Sequence, residues 1–207
     1  MNAIGNLSLN WFDLAVVLLL FVGYACGKKN GMSKEALAML KWIAIVLLPA
    51  IAYEPFGEWL AATAQLGKLT SYLIAYICTA LVVALIFIVL TGKLREKLLG
   101  SDAFGKAEFY LGKPVGMLRF ACIIIVFLAV LNARYYSTAE VKASQKYDLD
   151  NYGSSFFPHL YSIQDDIFKN SLVGSQVHQH LDFLLIKPTP AIVGPSEPTR
   201  RKEFTWQ

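Results

Sequence analysis

Four long apolar blocks, separated by short polar segments, constrain this chain more than any other feature. A bilayer core offers no water to backbone N–H and C=O groups, so blocks of this kind cross it as helices that bond internally. They run from Trp11 to about Cys26, from about Ser33 to Tyr53, from about Tyr72 to Leu90 and from about Val115 to Tyr136. The third carries no charge. The first is short for a core that takes about 20 residues, and helical residues from Leu7 onward lengthen it, with Trp11 at the interface. Only 16% of the 207 residues are charged, against about 25% in soluble domains. That deficit lies in residues 1–136, which are expected to form one four-helix transmembrane domain, with 137–207 as a polar tail.

The stretch Gly23–Trp42, GYACGKKNGMSKEALAMLKW, reads as the turn of a helical hairpin. Asn30-Gly31 is turn chemistry. Ser33 is the expected N-cap of the second helix, and Glu35 falls in its first turn, where the helix dipole favours an anion. Pro49 is expected to bend that helix. A second hairpin follows from the third and fourth blocks. Between the hairpins, residues 54–71 read as an outer loop carrying a short surface helix over EWLAATAQL. Tyr72 and Tyr76 then sit where interfacial aromatics do, and Tyr135 and Tyr136 mirror them at the end of the fourth block. Gly23 and Gly27, like Gly112 and Gly116, are four apart and share a helix face, where small residues let backbones approach closely.

The net charge of +4 lies mostly beside the apolar blocks. It orients a membrane protein and calls for no nucleic acid. Eight basic residues flank the two glycine-bearing turns: Lys28, Lys29, Lys34, Lys93, Arg95, Lys97, Lys106 and Lys113. Three, Lys68, Lys142 and Lys146, flank the other ends. Basic loops stay in the cytoplasm, so both termini are expected outside it. Residues 1–10 carry no Lys or Arg, so a cleaved signal peptide is not expected.

Charges inside the spans are costly without a partner. Asp13 has two readings: held at the headgroups, or facing the bundle and paired with a basic group. Lys41 and Arg119 lie near the cytoplasmic ends, where their stems can snorkel. Arg119 could instead pair with Glu35 or another carboxylate.

In the tail, 137–154 read as a linker. Phe156, Phe157, Leu160, Ile163, Ile167 and Phe168 recur at helical spacing, which predicts an amphipathic helix from about Pro158 within 155–186, lying on the bilayer or on the bundle. Four prolines after Lys187 point to disorder over 187–207. Cys26, Cys78 and Cys122 show no paired spacing and read as packing residues. His159, His178 and His180 fit solvated positions better than a metal site, since alternate histidines do not share a helix face. No GxSxG, HExxH or GxxxxGK[ST] occurs. Neither catalysis, a cofactor nor a metal is expected.

At Gly31–Trp42 the chain resembles the colicin V production protein family of bacterial inner-membrane proteins. Asp13 matches the aspartate that enters the family's first span. Gly31 and Glu35 match its glycine and following glutamate, and Ala36, Leu37 and Trp42 its Ala-Leu pair and aromatic. Leu99, Gly100, Gly105 and Gly116 resemble its later glycines, and Ser155 and Pro158 its serine-proline pattern. Asn30 stands where the family usually has arginine, and the loop at 100–116 is longer. The resemblance covers about residues 11–165. It implies a multi-pass protein of the inner membrane, tied to toxin production or envelope state, with no reaction attached.

The leading expectation is therefore an all-α, non-enzymatic membrane protein. Its partners are the bilayer and either a second copy or other membrane proteins, packed through Gly23, Gly27 and Gly116. A small transporter or channel component is the first alternative, with Asp13, Glu35, Lys41 or Arg119 lining a polar path between protomers. An envelope sensor acting through the tail is the second.

Overall fold

Each apolar block forms a helix longer than the block itself. The computed structural model of the chain describes residues 10–98, 107–152 and 159–190. Helix α1 spans Trp11–Asn30, α2 Met32–Ala64, α3 Lys68–Leu98 and α4 Glu108–Asn132. All four are long and apolar enough to cross a membrane. Gly100, Gly105, Ser155, Pro158, Phe156, Phe157 and the segment 191–207 lie outside the described residues.

The turn between α1 and α2 is a single residue. Gly31 has φ +76°, a left-handed value that favours glycine. Its N–H donates to the Gly27 carbonyl at 3.1 Å, and its own carbonyl accepts from Glu35 N–H at 3.2 Å. Gly31 thus ends one helix and starts the next. Ser33 falls inside the first turn of α2 and is not its cap.

Helix α2 differs most from expectation. It passes through Pro49 and Pro55 and ends only at Ala64, with Gln65 left-handed at its C-cap. The expected outer loop over 54–71 shrinks to residues 65–67. The physical reason is α3, which packs along this extension. Gly57 makes room for the Tyr72 ring, and Tyr53 meets Tyr72 edge to face at 5.5 Å. Tyr72 and Tyr76 are therefore core residues, not interfacial ones, and both are buried.

Connectivity runs as two hairpins, but packing does not follow it. Helix α4 lies against both α1 and α2, and α3 packs on α2. The consecutive pair α1 and α2 touch much less. Most of the spans' apolar surface stays uncovered. Val17, Leu18 and Phe21 on α1, Ile51 on α2, and Leu81, Leu85 and Val89 on α3 are all exposed. On a soluble protein such a surface would aggregate; here it is the lipid-facing side.

The described part of the tail, residues 137–152 and 159–190, closes one end of the bundle. The segment 137–154, expected as a linker, is helix α5 (Thr138–Tyr152). A reciprocal cap starts it: Glu140 N–H donates to Ser137 Oγ, and Ser137 N–H donates to the Glu140 carboxylate, each at 3.2 Å. The amphipathic stretch forms two helices, α6 (Leu160–Asn170) and α7 (Leu172–His180), then a 3-10 turn at Asp182–Leu184. Strand β1 (Arg134–Tyr135) pairs in parallel with β2 (Thr189–Pro190). Residues 187–190 are therefore structured, contrary to the proline-based expectation.

Of the two placements open to the amphipathic stretch, the bundle is the one taken. Ile167, Leu185 and Ile186 are buried with Phe12, Val16, Tyr76, Leu128 and Ala129. This core sits at the Trp11 end. A smaller cluster joins Val46, Cys122 and Leu184, with Trp42 against it.

Candidate functional site

Polar groups inside the bundle gather at its two ends. At the Gly31 end, Glu35 projects from the first turn of α2 and Arg119 from α4. Side chains on a helix tilt toward its N-terminus, and both helices begin at this end. Arg119 therefore reaches back toward Glu35 and bonds both carboxylate oxygens, at 2.9 and 3.2 Å. Asn30 Nδ2 donates to the same carboxylate at 2.6 Å. The Glu35 side chain is 1% exposed and that of Arg119 26%. A charge this buried persists because its partners satisfy it. The Arg119 Nε–H is buried and has no acceptor among the described residues.

A cleft of about 440 Å³ opens beside this pair, between α2, α3 and α4. Lys34 and Lys41 line it from α2, and Ile88 and Thr91 from α3. The Lys41 ammonium lies 5.8 Å from the centre of the Trp42 ring.

At the Trp11 end, Asp13 is buried inside the bundle, as one of its two readings had it, but among the described residues its partners are not basic. It accepts four hydrogen bonds: from Asn10 N–H at 3.0 Å, Ser171 Oγ at 2.8 Å, Leu172 N–H at 3.1 Å and Val173 N–H at 3.0 Å. Two of these donors are the first amides of α7, so the carboxylate sits at a helix N-terminus, where the dipole favours it. Ser171 caps the same helix by accepting from Gly174 N–H at 3.1 Å.

The tail is tied down at further points. Asn132, buried at the end of α4, donates to the Ile186 carbonyl at 3.1 Å. Gln164 Nε2 donates to the carbonyls of Leu131 and Arg134, at 3.2 and 3.0 Å. The Lys187 N–H donates to Tyr53 Oη at 3.2 Å, and its ammonium to Glu54. Sequence reasoning did not find Ser171, Gln164 or Tyr53. A serine three residues before Gly174, between two apolar periodic runs, was the one local signal for Ser171. Glu54 raises the Lys187 pKa above its usual value, chiefly by accepting its hydrogen bond. Burial raises that of Tyr136.

The glycines form one contact within the chain. A Cβ on Gly23 would lie 2.7 Å from the Gly116 carbonyl oxygen, and one on Gly27 would fall onto that of Gly112. Gly112 and Gly116 face Gly27 and Gly23 in return. Helices α1 and α4 thus meet backbone to backbone. All four glycines are buried, so the same faces are closed to a second copy or another protein.

Of the four charged residues expected along a path between protomers, three lie at one end of the bundle and Asp13 at the other. Asp13 is at the opposite end from Glu35, and each is buried against partners of its own chain. Only Lys41, Glu35 and Arg119 meet, around the cleft. His159 pairs with Asp148 and stacks on Tyr161, and His178 meets the Phe168 ring edge-on. Among the described residues no cluster of three His, Cys, Asp or Glu could hold a metal ion.

Residues 12–149 match the profile described as colicin V production protein. No curated protein and no solved structure matches the chain. The matched segment contains α1 to α4 and most of α5; α6 and α7, which cover Asp13, lie beyond it. It spans most of the chain and all four apolar helices, and this multi-pass membrane chain belongs to the colicin V production protein family.

Proposed function

We propose that this protein is a non-enzymatic scaffold of the bacterial inner membrane, acting in toxin production and secretion or in envelope homeostasis. The family match across the whole bundle carries the reading. The use made of the buried charges supports a scaffold: Asp13 caps α7, and Glu35 holds Arg119 against α2. The basic Gly31 turn faces the cytoplasm and the tail-capped end faces outward, as the distribution of lysines favours. The test is disruption of the gene in a toxin-producing host, complemented with the wild-type gene. Secreted toxin should fall while its intracellular synthesis stays unchanged, or a membrane-impermeant dye should enter. Normal secretion together with an intact envelope overturns the proposal.

An envelope sensor is the second reading, favoured by a cleft of about 500 Å³ at the tail end. Arg134, Tyr136, Tyr161, Gln164 and His178 line it. Deleting the tail cannot isolate this role, because the tail covers Asp13 and the core. Arg134→Gln and Tyr161→Phe should instead abolish the envelope response while leaving the protein at wild-type abundance.

A further inference from the structure

The cleft at the Gly31 end has a divided wall. Lys34, Lys41 and Arg119 supply positive charge, and Leu37, Ala38 and Ile88 supply apolar surface. Among the described residues Glu35 is the one carboxylate that lines it, and Arg119 occupies that carboxylate. Neither lysine has a carboxylate partner among the described residues. The cleft is therefore a net cationic site.

Its charged groups are spread along α2, with Leu37 and Ala38 between Lys34 and Lys41, and α3 supplies an apolar wall at Ile88. Lys34 lies in the first turn of α2, and Lys41 is seven residues on, about 10 Å deeper at 1.5 Å per residue. The stems of both tilt back toward the Gly31 end. Ile88 lines the cleft and is itself 61% exposed, so the cleft wall continues without a break into the lipid-facing side of α3 at Leu85 and Val89. A soluble anion would use only the charged half of such a site. An amphiphile would use both halves, with its head at the lysines and its chain along α3.

We propose that this cleft binds the phosphate headgroup of an anionic phospholipid. Lys34 and Lys41 contact the headgroup beside Arg119, and an acyl chain lies over Ile88. Basic pockets between transmembrane helices recognise lipid headgroups by this chemistry. The site requires no particular role in secretion.

The test uses the full chain in nanodiscs of equal parts phosphatidylglycerol and phosphatidylcholine, released into a native mass spectrometer. The wild-type protein should retain phosphatidylglycerol in preference to phosphatidylcholine. Lys34→Gln and Lys41→Gln should each lower that retention about fivefold, the effect of one basic contact near a membrane surface. Lys28→Gln and Lys29→Gln, at the same end but outside the cleft, should leave it unchanged. Equal losses in both pairs would mean a diffuse positive surface and overturn the site. The same holds for wild-type protein without lipid preference. Inorganic phosphate added to the mixed nanodiscs should not displace the lipid; full displacement at millimolar phosphate would assign the cleft to a free anion and overturn the lipid.

Discussion

Ser171 Oγ donates to Asp13 Oδ1 at 2.8 Å across 158 residues of sequence. The contact joins the first turn of the membrane bundle to the start of α7, and two amides of α7 bond the same carboxylate. Hydrogen bonds to a charged group contribute about 1.5–3 kcal/mol each, and burying their donors unpaired costs more than the bonds alone. Asp13→Ala should therefore destabilise the tail by about 3 kcal/mol, and Asp13→Asn by less, because one acceptor oxygen remains. Hydrogen exchange over 171–180 reads this directly. Protection should fall about a hundredfold in the alanine variant, while α2 and α3 keep theirs. Unchanged protection would mean that the bonds from Asn132 and Gln164 hold the tail without Asp13.

Backbone contact between α1 and α4 makes a prediction with an internal control. Gly27→Ala puts a methyl group onto the Gly112 carbonyl, and backbone cannot turn aside as a long side chain can. Overpacking of this kind costs about 1–3 kcal/mol. Gly92, on exposed α3, has nothing within 4 Å of an added Cβ. Gly92→Ala should be neutral or stabilise by up to about 1 kcal/mol, the helix-propensity difference. Thermal unfolding in detergent should rank the variants Gly92→Ala, wild type, Gly27→Ala from most to least stable. Because this contact is internal, loss of fold and loss of any assembly should coincide in Gly27→Ala.

Two bonds made by Lys187 separate surface charge from buried structure. Its ammonium lies 2.8 Å from both oxygens of Glu54, and both side chains are exposed. Solvent screens such a pair, so Lys187→Ala should leave protease resistance of the tail unchanged. Its backbone N–H bonds the buried Tyr53 hydroxyl, and Tyr53→Phe should cost about 1 kcal/mol. The lysine pKa is raised in the folded protein. Whatever the pair contributes is thus fully present below the ordinary value of 10.5 and is lost only as pH rises through the higher folded value. Protease resistance should stay flat from neutral pH to about 10.

What could be read before folding was set by period and composition. The four spans were legible because an apolar run of that length has one solution in a bilayer. Their ends were not. Pro49 read as a bend and residues from Glu54 as a loop, but α2, packed on α3, runs on through Pro49 and Pro55. The cap of α5 was written locally, as Ser137 followed by Glu140, and could have been recognised as a capping pair. Asp13 and Ser171 could not be joined from sequence. Nothing local reveals that a carboxylate near residue 10 will accept from a hydroxyl 158 residues later and from the two amides that follow it. The glycine spacing foretold close backbones, yet not whose backbones they would be.

Glu35 and Arg119 provide the most discriminating experiment at the Gly31 end. The Glu35 side chain is buried, whereas the Arg119 side chain is about a quarter exposed, so the two halves of the pair are unequal. Removing Arg119 strands a buried carboxylate whose only other side-chain partner among the described residues is Asn30. Breaking a buried pair costs about 3–5 kcal/mol when one charge remains. Arg119→Leu should approach the lower end of that range, since its cleft admits water. Glu35→Gln leaves an arginine that can reach solvent, and should cost about half as much. The double variant Glu35→Leu with Arg119→Leu should be less destabilised than Arg119→Leu alone, because no uncompensated charge remains. Unfolding measured over this double-mutant cycle decides the point. Additive losses would show that the two residues act separately and that their bond contributes little to holding α4 on α2.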